Sequence, residues 1–332
     1  MKRLISGVQP TGGIHIGNYL GAIKNWVKLQ EKYESFFFIA DYHALTVKQD
    51  LETFPEKILN TAINIIACGI NPDKSPLFVQ SHILEHVNLG WIFNTITPIG
   101  ELNRMTQYKD KSKQYSENIN VGLFTYPTLM AADILIYNAD VVPVGEDQFQ
   151  HLELTRTIAR KFNSVYKSGF FKEPEAIAAA GARIMSLTDP SKKMSKSGGV
   201  NGYIALTDSE EVIWQKVSKA VTDPNRQRKT DKGNPQKCNL FSLHQLFSSL
   251  EEIEYVDKGC RNAGIGCLEC KKILADNINE EIAPIREKIS YWQKPENKKK
   301  IIEILKQGAD RVRPIAQENL KKIKQIVGLI EM

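Results

Sequence analysis

Two short stretches of the chain carry residues suited to holding phosphate. Gln9-Pro10-Thr11-Gly12-Gly13-Ile14-His15-Ile16-Gly17-Asn18 combines glycines with one imidazole, and Lys192-Lys193-Met194-Ser195-Lys196-Ser197-Gly198-Gly199 gathers lysines, serines and glycines in a loop. A glycine-rich turn lets backbone N–H groups approach an anion, and a helix starting there adds partial positive charge. Lysines on a loop can follow a polyphosphate whose charge grows as it departs. The glycine spacing fits neither the dinucleotide fingerprint nor the Walker loop. Each stretch also has a plainer reading, as a packing turn or as a solvated surface loop.

A third chemical feature is a carboxylate where none is expected. The run Leu123 to Tyr137 is dense in apolar residues, with Asp133 in its middle. A buried carboxylate is costly without a donor, so Asp133 must meet one, inside the protein or on a ligand. Gly145-Glu146-Asp147-Gln148 follows the apolar run Asp140 to Val144. Carboxylates there can cap a helix, or hold ribose hydroxyls, an amino group or a metal ion. Four of the five cysteines, Cys238, Cys260, Cys267 and Cys270, lie within one region at gaps of twenty-one, six and two residues. Such a set suits a metal centre of tetrahedral zinc or of iron and sulfur, and spacing alone does not separate the two. Cys68 stands apart and reads as a core residue.

The elements that must position these groups are legible as strands alternating with helices. Short apolar runs at Arg3–Gly7, Ser35–Asp41, Leu77–Ser81 and Asp140–Val144 read as buried strands. Helical spacing follows the first run, recurs from about Phe54 to Cys68, and continues after Gln148. This alternation predicts an α/β fold with a parallel sheet, its strand C-terminal ends along one edge where a ligand belongs. Residues 85–138 read as mostly helical and interrupt the alternation. Within them Arg104 to Lys111 is either a solvated helix or a mobile basic segment. Thr222 to Lys237 has the composition of a mobile linker, and the chain beyond it reads as helical. There Lys298 to Lys300, Arg311, Arg313, Lys321, Lys322 and Lys324 offer contacts to RNA phosphates, or simply a solvated face.

Composition sets outer limits. The 332 residues suit two domains, or one large domain with an appendage, and 42% hydrophobic with 25% charged residues supports a substantial core. The formal charge of +6 permits an acidic partner such as RNA without requiring one. No apolar run approaches the roughly 18 residues that span a bilayer. With a strand starting almost at Met1, a signal peptide is not expected, so the expected location is the cytoplasm, with reduced cysteines.

Taken together, the motifs resemble a known family. His15-Ile16-Gly17-Asn18 is similar to the HIGH signature of class I aminoacyl-tRNA synthetases, and Lys193-Met194-Ser195-Lys196-Ser197 matches their KMSKS signature. Within that class, Arg104–Lys111, Thr125-Tyr126-Pro127, Met130–Tyr137, Val144–Gln148 and Thr155-Arg156 resemble the tryptophanyl-tRNA synthetases, with the tyrosyl enzymes as the near alternative. A metal-containing RNA-binding protein with a vestigial nucleotide site is the rival of another class. The resemblance implies a Rossmann-like catalytic domain over residues 1–200, with a helical insertion at about 85–138. It also implies an α-helical anticodon-binding domain over 201–332 carrying the cysteines, its last helix packing back on the catalytic domain.

The resemblance further implies ATP, Mg²⁺, L-tryptophan and tRNA(Trp) as ligands, no membrane, and a homodimer. It assigns Gln9, Pro10, Thr11, Gly17, Asn18, Gly145, Glu146, Asp147, Ile184, Lys193, Met194, Ser195, Lys196 and Ser197 to ATP. His15, Lys111, Lys193 and Lys196 would stabilise the reacting phosphates. Asp133 would accept the indole N–H, and Gln148 and Tyr126 would lie near the substrate ammonium. Met130, Val141 and Val144 would wall the pocket, with Gln9 and His43 at its edge. Two departures stand out: Ile5 replaces an aromatic residue, and Gly198-Gly199 follows KMSKS where an acidic residue is common. The four cysteines resemble an iron–sulfur subgroup of the family, with the first gap one residue shorter; this implies a 4Fe–4S cluster, with zinc as the alternative.

Overall fold

The structure, a computed structural model, describes residues 1–114, 119–178 and 183–330. They form two compact units that alternate along the chain: Met1–Gly12, Asn25–Ala180 and Pro295–Met332 make one, Gly13–Lys24 and Gly181–Lys294 the other.

The first unit is built on a five-stranded sheet. In chain order its elements are β1 (Arg3–Val8), β2 (Glu34–Ile39), α3 (Asp41–Ala44), α4 (Phe54–Ala67), β3 (Leu77–Val79), α5 (Glu85–Ile96), α6 (Ile99–Asn103), α7 (Thr106–Gln114), α8 (Val121–Leu135), β4 (Val141–Val144), α9 (Phe149–Val165) and β5 (Glu175–Ala178). The C-terminal α14 (Pro295–Ile326) completes the unit. Between β1 and β2 the chain makes a three-residue α1 (Ile16–Asn18), a π turn at Tyr19–Ile23 and α2 (Lys24–Leu29). The sheet order is β3-β2-β1-β4-β5 with every pairing parallel. Parallel strands need crossover connections, and helices supply them here.

Side chains alternate across this sheet. Ile5, Phe36, Phe38, Phe78, Val142 and Val144 enter one core with residues of α5, α8, α9 and α14. Phe37 faces the other way and stacks on Trp26 at 4.9 Å between centroids. The C-terminal helix closes the β3 side of the unit. Gly308 of α14 meets the strand so closely that a Cβ there would lie 2.0 Å from the Leu77 carbonyl oxygen. Arg311 donates to the carbonyls of Pro72 and Lys74, and Arg313 pairs with Asp310 and reaches the His82 carbonyl. Both guanidinium groups therefore have partners within the unit, and Arg311 remains exposed.

The second unit is mainly helical, with α10 (Glu210–Lys219), α11 (Asn239–Phe247), α12 (Leu250–Arg261) and α13 (Cys267–Trp292). The expected linker, 222–237, is a packed loop instead. Asp223 and Arg226 are buried; Asp223 accepts from the backbone N–H of Asn225 and Asn234. Arg226 donates to the Ile265 carbonyl at 2.5 Å, and Gly233 N–H bonds the Cys260 carbonyl. Buried polar groups with partners inside the unit hold the loop that composition alone reads as mobile.

Candidate active site

The second unit brings the two phosphate-seeking motifs together. His15 is the N-cap of α1: its Nδ1 accepts from Asn18 N–H, and Asn18 Oδ1 accepts from His15 N–H, each at 3.3 Å. The bridge His15↔Ala205 and the bonds Ile16 N–H to Ile204 O and Leu206 N–H to Ile14 O pin this turn. Because Nδ1 accepts, a neutral ring carries its proton on Nε2, which is left as a donor. Burial first, then the charges of Lys196 and Lys193, lower the His15 pKa from 6.5 to about 4. The imidazole is thus neutral at pH 7, with an N–H to offer.

Close packing holds the KMSKS loop against that turn. Met194 is buried, and its N–H bonds the Ile184 carbonyl, which places the expected pair Ile184 and Met194 side by side. A Cβ on Gly13 would lie 3.5 Å from Lys196 Nζ, and one on Gly17 would lie 2.9 Å from the His15 ring and 3.6 Å from Met194 Cβ. Gly199 takes φ +88°, a conformation that side chains disfavour. Gly21, by contrast, has open space around it and no packing role. Lys193 and Lys196 are exposed, and both act electrostatically on His15.

In the sheet unit the remaining candidates follow the C-terminal ends of the parallel strands. Gln9, Pro10 and Thr11 follow β1, His43 lies in α3 after β2, Gln80 follows β3, and Gly145, Asp147 and Gln148 follow β4. Helix α8, which precedes β4, contributes Tyr126, Met130 and Asp133, four and three residues apart and so on one face. Alternation puts Val142 and Val144 on the same face, within the core shared by α8, whereas Val141 stands opposite Leu4 on the other face. Val142, not Val141, accompanies Val144. Ile5 shares that core face as well.

Asp133 meets donors inside the protein. It is 1% exposed and accepts three hydrogen bonds: from His43 Nε2 at 2.7 Å, Gln80 Nε2 at 2.7 Å and His86 Nδ1 at 2.5 Å. Burial alone would raise its pKa; His43 and His86 outweigh that and hold it at about 2. Sequence reasoning missed His86 and the use of Gln80, since neither lies in a motif. The Tyr126 hydroxyl meets His151 Nε2 at 2.8 Å and Gln107 Oε1 at 3.3 Å, and burial followed by Asp147 pushes its pKa up.

The basic segment expected to reach phosphates is anchored at its start. Thr106 N–H and Oγ1 donate to Gln150 Oε1, and Gln107 Nε2 donates to the Asp147 carbonyl at 2.9 Å. This ties α7 to the loop after β4. The side chains of Lys111, Glu146 and Ser197, all expected to serve ATP, lie outside the described residues.

The cysteines sit at helix ends in the second unit. Cys238 caps α11, Cys260 lies in the last turn of α12, and Cys267 and Cys270 open α13, whose dipole favours thiolates. All four are half-buried free thiols. Burial, followed by Cys238, Cys267 and Cys260, pushes the Cys270 thiol up to about 12, so the four sulfurs lie within electrostatic reach of one another. Arg226 Nη1 approaches Cys260 Sγ at 3.5 Å, and His244 Nε2 approaches Cys270 Sγ at 3.3 Å. Among the described residues, however, no three His, Cys, Asp or Glu side chains close on a common point as metal ligands do.

An open parallel sheet with polar residues at its carboxyl edge, together with a glycine-histidine turn packed on a lysine loop, defines a nucleotide-binding α/β protein of the class I synthetase type. The chain belongs to the family described as tRNA synthetases class I (W and Y), which matches residues 1–283. It is 46% identical to a tryptophan–tRNA ligase of Deinococcus radiodurans and 45% identical to one of Wolinella succinogenes, covering 99% or more of each pair. Among solved structures it resembles the tryptophanyl-tRNA synthetase of Campylobacter jejuni complexed with ADP and tryptophan. That match has TM-score 0.85 and 37% identity, over 98% of this chain and 100% of that one.

Proposed function

We propose that this chain is an ATP-dependent tryptophan–tRNA ligase. The observation that carries the reading is the buried, ionised Asp133 on the face of α8 that also holds Tyr126 and Met130. A carboxylate there rewards an aromatic side chain with an N–H to give and penalises one without it. The tryptophan carboxylate attacks the α-phosphorus of ATP; the new P–O bond forms as the bond to the bridging oxygen breaks, and pyrophosphate leaves. The aminoacyl group then moves from the adenylate to the terminal ribose of tRNA(Trp), at the 2′-hydroxyl in this class; the ester bond forms as the acyl–phosphate bond breaks, and AMP leaves with the hydroxyl proton released.

Catalysis is positioning and charge stabilisation. His15 donates its Nε2–H to a phosphate oxygen, and Lys193 and Lys196, with Lys111, follow the charge that collects on pyrophosphate. Mg²⁺ brought with ATP neutralises part of that charge. Gln9, Pro10, Thr11, Gly17, Asn18 and the Gly145–Asp147 loop hold the nucleotide. Gln148 and Tyr126 serve the substrate ammonium. ATP–pyrophosphate exchange run with tryptophan and with tyrosine tests the reading: exchange with tryptophan alone is expected, and exchange with tyrosine alone overturns it.

Residues 1–200 act as the catalytic domain and 201–332 as the anticodon-binding domain in this reading, and the enzyme works in the cytoplasm; among the described residues no helix is long and apolar enough to cross a membrane. The enzyme works as a homodimer joined through α5. Leu84, Val87 and Trp91, spaced three and four residues apart on one face, are 59%, 37% and 71% exposed. Trp91→Glu should convert dimer to monomer on sizing; an unchanged mass would place the interface elsewhere. The four cysteines hold a 4Fe–4S cluster, with zinc as the alternative. Four neighbouring half-buried thiols and the cation Arg226 suit such a group in donor chemistry, and their side chains must rotate to close round it. A cluster there would brace the helical region. Iron and sulfide on elemental analysis of anaerobically purified protein would support the cluster; zinc alone would replace it.

A further inference from the structure

The hydrogen bonds of Asp133 are distributed unequally between its two oxygens. Among the described residues, Oδ1 accepts from both Gln80 Nε2 and His86 Nδ1, whereas Oδ2 accepts only from His43 Nε2. An ionised carboxylate offers about two acceptor sites on each oxygen. Oδ1 is therefore filled, and Oδ2 retains one.

His86 is what fills and orients Oδ1. It is fully buried, and its second nitrogen, Nε2, stands 2.8 Å from the Tyr137 hydroxyl. With Nδ1 donating to the carboxylate, Nε2 of a neutral ring accepts, so Tyr137 O–H donates and fixes the tautomer. The ring also sits among aromatic neighbours, 5.9 Å from Phe38 and 5.4 Å from Tyr137 between centroids, which leaves it little room to turn. We infer that His86, oriented by Tyr137, is a positioning residue that locks the Asp133 carboxylate so that only Oδ2 is open to a substrate N–H. By doing so it sets the selectivity for indole over rings that offer no donor.

This inference rests on the reading that Asp133 receives the indole N–H. A fixed carboxylate with one open acceptor cannot turn to find another partner, so a ligand without the donor leaves that site unpaired in a buried place. A carboxylate freed to rotate can compensate, and the penalty shrinks. The measurement is kcat/KM in pyrophosphate exchange for tryptophan and for its benzothienyl isostere, which carries sulfur in place of the indole N–H. The wild-type enzyme should favour tryptophan strongly; if it does not, the Asp133 reading fails at that point.

Given that preference, His86→Leu should reduce it at least tenfold, through the KM for tryptophan, with the KM for ATP unchanged. His86→Asn, whose amide nitrogen can stand near the place of Nδ1, should recover most of it. A His86→Leu enzyme that keeps the wild-type preference, or loses both substrates' kcat/KM equally, overturns the inference. Should His86→Leu fail to fold, Tyr137→Phe, which deletes one hydroxyl, decides the matter. A several-fold loss of preference supports the inference, and an unaltered preference refutes it.

Discussion

The depressed pKa of His15 should make the enzyme's stability depend on pH in a way that one substitution removes. The unfolded chain protonates this imidazole near 6.5, the folded chain only near 4. Between those values the unfolded state binds more protons, so stability is complete above about 6.5 and declines as pH falls toward 4. A difference of about 2.5 pKa units corresponds to roughly 3 kcal/mol in full, of which about 2.5 kcal/mol is lost by pH 4.5. His15→Asn supplies the control, because asparagine is a good N-cap but does not titrate. Denaturant unfolding of both proteins at pH 7.5 and pH 4.5 gives the comparison. The wild-type protein should lose about 2 to 3 kcal/mol more than the variant over that interval. Equal losses would show that His15 is not held neutral by its surroundings. The cause can be tested separately: Lys196→Ala should move the His15 titration upward when followed by NMR. An unmoved titration would leave burial and Lys193 as its causes.

Three further outcomes follow from the packing and charge already described. Lys196→Ala should slow tryptophan-dependent pyrophosphate exchange by two orders of magnitude or so while tryptophan affinity, read by fluorescence titration, stays nearly constant; equal losses in both would remove Lys196 from the phosphate role. Gly17→Ala places a Cβ against the His15 ring and should cost about tenfold in exchange, near 1.4 kcal/mol, with tryptophan binding intact. Gly308→Ala forces a Cβ onto the Leu77 carbonyl and should lower stability by about 3 kcal/mol on thermal or denaturant unfolding; a neutral result would mean that α14 yields without cost.

What the sequence made legible was whatever lies close together along it. The KMSKS letters are contiguous, and Asp133 stands out because an apolar helix surrounds it. Four of the five strands announce themselves as β-branched or aromatic runs. The fifth, Glu175–Ala178, has four residues with only one large apolar side chain, too little pattern to register. Gln80 and His86 lie 53 and 47 residues from Asp133, and only the fold brings them to it. In a strand one residue exchanges the faces, so it takes the fold to show that Val142 rather than Val141 shares a face with Val144. The loop at 222–237 was misread because its polar composition resembles a solvated linker, while Asp223 and Arg226 satisfy its backbone internally. The arginines of α14 show the same limit: their charge is visible in the sequence, but their carbonyl partners at Pro72, Lys74 and His82 are not.

The position of α14 also carries a schedule for synthesis. β3 has three residues at one end of the sheet, and the helix laid against it comes from the last part of the chain; Arg311 and its Pro72 partner are 239 residues apart. At roughly 5 to 20 residues per second, some 10 to 50 s separate the emergence of that strand from that of the helix that covers it. During that interval the nascent sheet lacks its last layer and exposes apolar surface and an unfinished edge. The N-terminal unit is thus first to be started and last to be finished, and loss of the final helix would leave permanently the condition that every new chain passes through once.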